Sequence, residues 1–511
     1  MNEVAADTLT RPESATLLGQ PRGLWTLFLT EMWERFTFYG MRAVLILFLV
    51  AGVAKGGLGL DDKTANSIYG LYLGGTYLLG LPGGWVADRL LGGQRAVFAG
   101  GVLIAAGNLV LAFASLAHLP PLFFVGLVVI VLGVGLLKPN VSALVAALYP
   151  EGGARRDAGF SFFYMGINSG AFLGSLFVPL LAAWLGWHWG FGIPALGMAI
   201  GLIQLRQTRR YLGNAGHAPA ERASWWPVIL FVGAIALVAI LATGGALHLN
   251  AVTLGASASW VMLALAVGYF AYLLFFAGLN RTERNRALVM VALFAGSVMF
   301  WAGYEQQGAS FNLFAERYTD RHILGWNLHI LRWNLHLPGW NMPAGILQAV
   351  NPLFVITLSP VFAFLWLALG RRGLDVAATV KFGAALLFLG LGFLVMRFAA
   401  DHVLAGEHVL PTWLICTYFL HTLGELSLSP VGLSYMSKLT PPRFVGQVMG
   451  MWFLSLALGA NLAGQLSGTI DTSHMQSLPG LYSQIFWSCV VAGAVMLLLT
   501  PLVKRLMAGV K

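Results

Sequence analysis

The stretch LWTLFLTEMWERFTFYGMRAVLILFLVAG, residues 24–52, is an apolar run that contains four ionisable side chains. A transmembrane helix needs roughly 20 consecutive, mostly apolar residues to cross a hydrocarbon core about 30 Å thick, so this run predicts one. A charged side chain at the centre of a bilayer costs about 2.5–3.5 kcal/mol on insertion scales and normally faces the interior of a helix bundle. We therefore expect the charges of this run to serve a function inside a bundle.

Similar apolar runs recur along the whole chain. Of its 511 residues, 58% are hydrophobic and 10% are charged, whereas about 25% are charged in an ordinary soluble domain. Fourteen runs are long enough to span a membrane, at about residues 24–52, 65–87, 96–117, 121–148, 158–182, 187–205, 225–247, 252–279, 287–314, 345–370, 376–398, 410–437, 443–468 and 481–503. The sequence therefore predicts an all-α polytopic membrane protein with 14 transmembrane helices.

The positions of Lys and Arg predict the orientation. Most of the 30 Lys and Arg residues fall in segments that are cytoplasmic if the N-terminus is cytoplasmic, as the positive-inside rule requires. We expect a multi-pass membrane protein with both termini in the cytoplasm. The net charge of +10 is then explained by short loops that face anionic lipid, and no nucleic-acid partner is expected.

A polar, basic segment divides the apolar runs into two groups. The expected organisation is a cytoplasmic tail at 1–23, an N-terminal six-helix bundle at 24–206, a cytoplasmic linker at 207–224, two accessory transmembrane helices at 225–280 and a C-terminal six-helix bundle at 281–511. The accessory helices contain no charged side chain, so we expect them to face lipid. Prolines at 139 and 150 and at 430 and 441 share one spacing, which indicates a weak internal repeat of the kind found in secondary transporters; chance is the alternative.

Seven ionisable residues lie within predicted spans: Glu31, Glu34, Arg35, Arg42, Lys138, Glu305 and Glu425. Residues three and four apart share one face of a helix, so the members on the first helix form a single stripe together with Tyr39. Near balance between acids and bases allows internal pairing, and the extra acid is a natural proton acceptor. The alternative is a set of ion pairs that only fix helix register, because buried pairs often contribute little net stability.

Common enzyme motifs are absent from the sequence. It contains no GxxxxGK[ST] phosphate loop, no HExxH zinc motif and no GxSxG nucleophile elbow, which argues against an ATP-driven pump and against the common membrane hydrolases. We expect no enzyme activity and no cofactor. The energy for transport must then come from an ion gradient, with protons as the coupling ion.

Several motifs together resemble one family, the proton-coupled oligopeptide transporters of the major facilitator superfamily. The quoted stretch matches the family's ExxERFxYYG pattern, with Phe38 in place of its first tyrosine. Six further motifs resemble the family's: GGWVADRLLG, GLLKPNVSALV around Lys138, FYMGINSGA around Asn168, FWAGYEQQG around Glu305, QAVNPLF around Asn351 and GELSLSPVGLS around Glu425. The resemblance spans about residues 24–505 and implies a major facilitator fold of two six-helix bundles plus two extra helices.

The resemblance also implies a function and a site. The function is proton-coupled symport that imports di- and tripeptides by alternating access, with the peptide, protons and membrane lipid as partners. The implied proton-coupling residues are Glu31, Glu34, Arg35, Lys138 and Glu305. The implied peptide-binding residues are Arg35 and Lys138 for the carboxylate, Asn168, Asn351 and Glu425 for the amino group, and Tyr39, Tyr77, Trp301 and Trp452 for side-chain pockets. Arg42 and Glu305 match the family's gate pair, which would close the extracellular side when the two residues form an ion pair. Protonation of Glu31 or Glu34 is expected to release Arg35 or Lys138 to the peptide carboxylate.

Some alternatives stay open at this stage. Another transporter of the superfamily that carries a different small solute or a drug, or a sensor that binds peptide without moving it, would have a related sequence. His421 lies four residues before Glu425 and either tunes that acid near neutral pH or is an ordinary packed histidine. The Trp-Asn repeat at 326–341 is interpreted as an amphipathic surface element rather than as a metal site at its two histidines.

Overall fold

The first bundle of six spans is formed by the N-terminal part of the chain. In the computed structural model, the described residues are 16–149, 153–218, 223–243, 245–323, 326–330, 333–337, 339–372, 376–468 and 475–507. Two short strands, β1 (Thr16–Leu17) and β2 (Gln20–Pro21), precede the bundle. Its helices are α1 (Arg22–Val50), α2 (Asp62–Leu78), α3 (Gly80–Val86), α4 (Gly93–Leu116), α5 (Pro120–Ala147), α6 (Gly153–Leu185) and α7 (Trp187–Thr208). The second span consists of α2 and α3 together.

Two accessory helices and a second bundle follow. The accessory helices are α8 (Trp226–Thr243) and α9 (Ala251–Ala271). The second bundle consists of α10 (Arg281–Tyr304), α11 (Ser310–Tyr318), α12 (Val350–Arg371), α13 (Ala378–Leu404), α14 (Thr412–Leu439), α15 (Val445–Gly468), α16 (Leu478–Leu498) and α17 (Thr500–Leu506). Here α10 with α11, and α16 with α17, each form one span. The predicted 14 spans and the fold class are confirmed.

Length and composition support the membrane assignment. In the described part of the chain, ten helical segments are long and apolar enough to cross a membrane, including α4 to α7, α9 and α16. The other spans are α1 with its four charges, the divided second span, the shorter apolar α8, and α14. Since lipid offers no hydrogen-bond partners, helices satisfy every backbone group within the span.

Polar side chains define where some of the helices begin. At the start of α2, the Asp61 carboxylate accepts a hydrogen bond from the backbone N–H of Thr64 over 2.9 Å. Hydrogen bonding to Thr64 holds the pKa of the Asp61 carboxyl below its usual range. At the start of α10, Asn280 and Glu283 form a reciprocal capping box with bonds of 2.9 and 3.1 Å. Such caps satisfy N–H groups that have no partner within the helix.

Two predicted continuous helices are broken in the structure. The second span divides at Leu79, next to Gly80 and Pro82, and ends in a π-helical turn over 87–91. The seventh span changes to a 3₁₀ turn at Glu305–Gly308 before α11 begins. The sequence alone predicted one continuous span over each of 65–87 and 287–314, because each mostly apolar run is long enough to cross a membrane.

The Trp-Asn repeat forms a β-hairpin rather than a helix. Strand β4 (Trp326–Ile330) pairs antiparallel with β5 (Trp333–Leu337), with Trp326 opposite Leu337. Outside it, β3 (His322–Ile323) pairs with β6 (Trp340–Asn341). The Trp340 ring lies 6.4 Å from that of Trp184 at the end of α6. Two of the three Trp-Asn units thus begin the paired strands β4 and β5, and the third forms β6.

Candidate functional site

The stripe on α1 forms a compact charge cluster. Nε of Arg35 lies 2.7 Å from Oε1 of Glu31 and 2.6 Å from Oε2 of Glu34. All three side chains are almost wholly buried. One guanidinium therefore faces two carboxyl groups, so the triad has a net negative charge when both acids are ionised, and a proton or a second cation is then stabilised there.

Lys138 on α5 lies against aromatic rings. Its ammonium nitrogen is 3.8 Å from the centre of the Tyr77 ring and 5.9 Å from that of Phe38, distances at which the negative face of a ring attracts a cation. Arg35 also approaches Phe38, at 5.5 Å. Within the described residues, no carboxylate forms an ion pair with Lys138 at 4.0 Å or less. Arg35 is therefore the cation that the acids of α1 contact, and the expected release of Lys138 on their protonation stays a prediction.

Glu425 on α14 is held by a separate polar group. The Tyr304 hydroxyl donates to Oε2 of Glu425 over 2.7 Å, and the amide nitrogen of Asn351 lies 3.3 Å from the same oxygen. The amide nitrogen of Asn351 also donates to the Thr422 hydroxyl over 2.9 Å, and its amide oxygen lies 3.0 Å from the Tyr304 hydroxyl oxygen. Three spans of the second bundle thus fix the orientation of one carboxylate.

Both ends of this site keep some exposure. Lys138 and Glu425 lie within long membrane spans, yet both are only half-buried. A cationic group on the first bundle and an anionic group on the second are therefore both partly accessible. Such an arrangement is suited to a ligand that carries opposite charges at its two ends.

The remaining predicted binding residues occupy different positions. Asn168 donates to the backbone carbonyl of Tyr164 on its own helix over 2.9 Å, and no hydrogen bond to Glu425 is found for it within the described ranges. The Tyr39 ring is half-buried, 5.7 Å from the Arg42 guanidinium. The Trp301 and Tyr304 rings are 5.1 Å apart at their centres. The Trp452 ring covers Gly432 of α14 so closely that a Cβ there would collide with it.

Arg42 and Glu305 form an ion pair between the two bundles. Nη2 of Arg42 lies 2.8 Å from Oε2 of Glu305, and both side chains are buried. Nε of Arg42 also donates to the Tyr69 hydroxyl over 2.8 Å. The pair therefore connects α1 and α2 of the first bundle with the 3₁₀ turn of the second.

Further contacts close the molecule beyond this pair. Arg317 at the end of α11 makes two bonds of 2.7 Å to the carboxylate of Asp62 at the start of α2. The Asn312 amide donates to the carbonyl of Ala43 over 2.9 Å. A Cβ on Gly70 would lie 3.0 Å from the Asn461 carbonyl oxygen, so α2 and α15 meet backbone to backbone. We call this side of the molecule, marked by the Asp62–Arg317 pair, the closed end.

Several site residues were missed by sequence reasoning. Tyr304 stands beside Glu305 in a motif that had been recognised, and Thr422 precedes Glu425 by one helical turn, so a search of each motif for hydroxyl groups would have found both. Tyr69 gives no comparable signal. Asp62 and Arg317 lie at the ends of spans, where charges are ordinary, and only their contact distinguishes them.

His421 lies in the core of the second bundle. Its side chain is fully buried, with ring centres 5.7 Å from Phe311 and 5.3 Å from Phe393. Nδ1 lies 3.5 Å from the side-chain nitrogen of Gln307. His421 therefore has the surroundings of an ordinary packed histidine. Within the described structure, Glu425 is not among the contacts of His421.

Comparisons with known proteins find relatives along almost the whole chain. Residues 94–486 match the model of the POT family. The chain is 41% identical over 515 residues to the peptide transporter YePEPT of Yersinia enterocolitica, with 97% of each protein covered. It is 33% identical over 510 residues to a di-/tripeptide transporter of Lactococcus lactis, covering 97% of this chain and 98% of the relative. A crystal structure of a peptide transporter POT in complex with alafosfalin superimposes with a TM-score of 0.83 at 39% identity, covering 97% of each chain.

Proposed function

This chain belongs to the POT family, and from that premise we propose that it is a proton-coupled symporter that imports di- and tripeptides by alternating access. The observation that carries the peptide assignment is the pair of half-buried, opposite charges at Lys138 and Glu425. A short peptide is a zwitterion, so it needs a cation at one end of its site and an anion at the other. We place the protein in the bacterial inner membrane with both termini in the cytoplasm and the closed end outside.

The peptide carboxylate is bound by Lys138 and Arg35. The near partner of Lys138 is the Tyr77 ring rather than a carboxylate. A peptide carboxylate can therefore pair with the Lys138 ammonium without first breaking an ion pair. The peptide amino group is bound by Glu425, oriented by Tyr304 and Asn351, and by Asn168 of the first bundle. Peptide side chains lie against Tyr39, Tyr77, Trp301 and Trp452, because aromatic walls bind varied groups through buried area and contacts with cations.

Coupling to protons centres on the shared guanidinium of Arg35. While Glu31 and Glu34 are both ionised, they hold Arg35 at 2.7 and 2.6 Å. Protonation of either acid removes one of the two attractions, and the guanidinium becomes available to the peptide carboxylate. Proton and peptide then cross together. This step concerns Arg35 rather than Lys138, since Lys138 is not paired with either acid.

Gating depends on the Arg42–Glu305 pair. The pair closes the outer side while Glu305 is ionised, because its carboxylate is then held 2.8 Å from Arg42. Protonation of Glu305 from outside removes the charge and allows the two bundles to separate there. Rocking of two bundles about a central site is the general mechanism of transporters built from repeats.

Uptake of labelled di-alanine into proteoliposomes tests the proposal, with and without an inward proton gradient. One proton crossing 100 mV releases about 2.3 kcal/mol, which supports roughly 50-fold accumulation at 1.4 kcal/mol per tenfold. We expect wild type to accumulate peptide only with the gradient, and Glu34→Gln to lose accumulation while keeping counterflow. The matched control is Glu407→Gln at an exposed position, with wild-type uptake expected.

Other outcomes contradict the proposal in distinguishable ways. Absence of di-alanine uptake under any gradient, with the peptide still bound, indicates a sensor. Absence of both binding and uptake indicates a transporter of another solute. If Glu34→Gln accumulates peptide as wild type does, the chain imports peptide but Glu34 on α1 is not required for proton coupling.

A further inference from the structure

The accessory helix α9 is attached to the second bundle by a polar clamp inside the membrane. The Asn461 amide donates to the Gly255 carbonyl over 2.7 Å and to the Ser259 hydroxyl over 2.8 Å. The Gln465 amide donates to the same two groups over 3.0 and 2.6 Å. Two side chains of α15 thus make four contacts with one turn of α9, and polar side chains that bridge helices within a membrane hold them together.

The clamp lies on the line where the two bundles meet. Asn461 faces α9 with its side chain, while its backbone carbonyl faces Gly70 of α2. A Cβ on Gly255 of α9 would lie 4.0 Å from Cβ of Ser67 on α2 and 3.9 Å from Cγ of Gln465 on α15. Helix α9 therefore covers the contact between α2 of the first bundle and α15 of the second.

The C-terminal part of α9 also contacts the second bundle. The Phe270 ring lies 5.5 Å from that of Phe294 on α10. Just beyond α9, the carbonyls of Ala277 and Gly278 accept bonds of 3.4 and 3.3 Å from Arg443, which precedes α15. Its attachment to α15 and α10 thus extends along the length of the helix.

The segment that leads to α8 is attached to the first bundle instead. The Gln94 amide at the start of α4 donates to the carbonyls of Gly213 and Ala215, and its oxygen accepts from Arg209. The backbone N–H of Ala223 donates to the Arg89 carbonyl over 3.0 Å. The accessory hairpin therefore starts on one bundle and ends on the other.

Helix α8 between these attachments is loosely packed. None of its described residues is buried, and large side chains such as Trp226, Leu230 and Ile240 are about two-thirds exposed. In α9, by contrast, Gly255, Ser259, Met262, Ala266 and Phe270 form a buried stripe at helical spacing. Helix α9 is thus packed along one face, whereas α8 buries none of its described side chains.

We infer that α9 moves together with the second bundle and past α2 during transport. Asn461 and Gln465 are the positioning residues that keep α9 on α15, and α8 is the flexible connection to the first bundle. This inference rests on alternating access in the proposed function. When the closed end opens, α2 and α15 separate there, and α9 stays on α15 while its contact with Ser67 is lost.

Two cysteine pairs that share one position test this assignment. Both are made in a background without the two native free thiols, Cys416 and Cys489. The first pair is Ser67→Cys with Gly255→Cys, whose Cβ atoms lie about 4 Å apart, within the range of a disulfide. Its disulfide joins α9 to α2. Gly255→Cys with Gln465→Cys joins α9 to α15. We expect oxidation to abolish di-alanine uptake in the first pair, with recovery on reduction, and to leave uptake in the second pair unchanged.

The reverse pattern, or equal behaviour of the two linked pairs, overturns the inference. Failure of the proposed function is recognised separately, because the reduced proteins and wild type then take up no peptide. In that case, spin labels at Val261→Cys on α9, paired with Val491→Cys on α16 or Leu109→Cys on α4, report the motion without any substrate. All three positions are exposed. A constant distance to α16 and a changing distance to α4 support the inference, while a changing distance to α16 contradicts it.

Discussion

Single side chains determine how each charge of the site is held. Arg35 is held by two carboxylates, whereas Lys138 at a similar depth is held by the face of Tyr77. Phe38 lies near both cations, so the hydroxyl that the family pattern has at this position is replaced by a ring edge without hydrogen-bonding capacity. The cationic end of the site therefore combines one strongly paired group with one weakly paired group.

Tyr304→Phe is expected to weaken peptide binding. The change removes the 2.7 Å bond that orients Glu425, and a hydrogen bond to a charged group contributes about 1.5–3 kcal/mol, so we expect KM for di-alanine to rise about 10- to 100-fold. Tyr418→Phe is the matched control, since its buried hydroxyl has no hydrogen-bond partner among the described residues. An unchanged KM in Tyr304→Phe would show that Glu425 does not bind the peptide in this orientation.

Among the elements, the 3₁₀ turn at Glu305–Gly308 brings the gate residues together. A continuous helix over 287–314 would present Glu305 on a regular face. The turn instead allows Gly308 to approach Tyr69 and Arg42 so closely that there is no room for a Cβ. The absence of a side chain at this position is therefore required for the buried Arg42–Glu305 pair.

Gly308→Ala is expected to destabilise the closed end. The added methyl group would collide with the buried Tyr69 hydroxyl and the Arg42 side chain, and overpacking of this kind costs about 1–3 kcal/mol. Proton-driven uptake should fall, and labelling of thiols introduced behind the gate from outside should become faster. Gly268→Ala on the exposed face of α9, where nothing lies within 4 Å, is the control; equal labelling in the two variants would refute the expectation.

At the scale of the whole molecule, two ion pairs among the described residues connect the bundles at the closed end. Arg42–Glu305 is buried, while Asp62–Arg317 is partly exposed and bidentate. Asp62 occupies the first turn of α2 and Arg317 the last turn of α11, so each charge also interacts favourably with its helix dipole. This outer pair, Asp62–Arg317, therefore stabilises the closed end through its ion pair and through the interaction of each charge with its helix dipole.

Reversing the outer pair separates these contributions. Arg317→Glu places two acids opposite each other, and we expect uptake to fall because the closed end becomes less stable. The exchange Asp62→Arg with Arg317→Asp should restore uptake only in part, because each charge then opposes its helix dipole by about 0.3–1 kcal/mol. Uptake assays of the three proteins measure this, and full recovery would mean that the dipoles are unimportant here.

Much of the architecture follows from the sequence alone. The cost of burying charge in lipid acts on each segment separately, so apolar runs identify the spans, and charges within runs identify residues that face a bundle interior. The same reasoning placed Glu31, Glu34 and Arg35 on one face of α1, where the structure has them in contact. Their roles in coupling remain predictions, as do the peptide-binding assignments.

Only the tertiary structure determined which partner each charge has and which bundle each accessory helix belongs to. A buried cation is stabilised by a carboxylate or by an aromatic face, and both were available to Lys138, so the choice of Tyr77 depends on how α2 and α5 pack. The uncharged sequence of α8 and α9 predicted two lipid-facing helices, yet Asn461 and Gln465, more than 200 residues away in the chain, hold α9 in place. Helical periodicity is a local property, whereas these partners are set by contacts between distant segments.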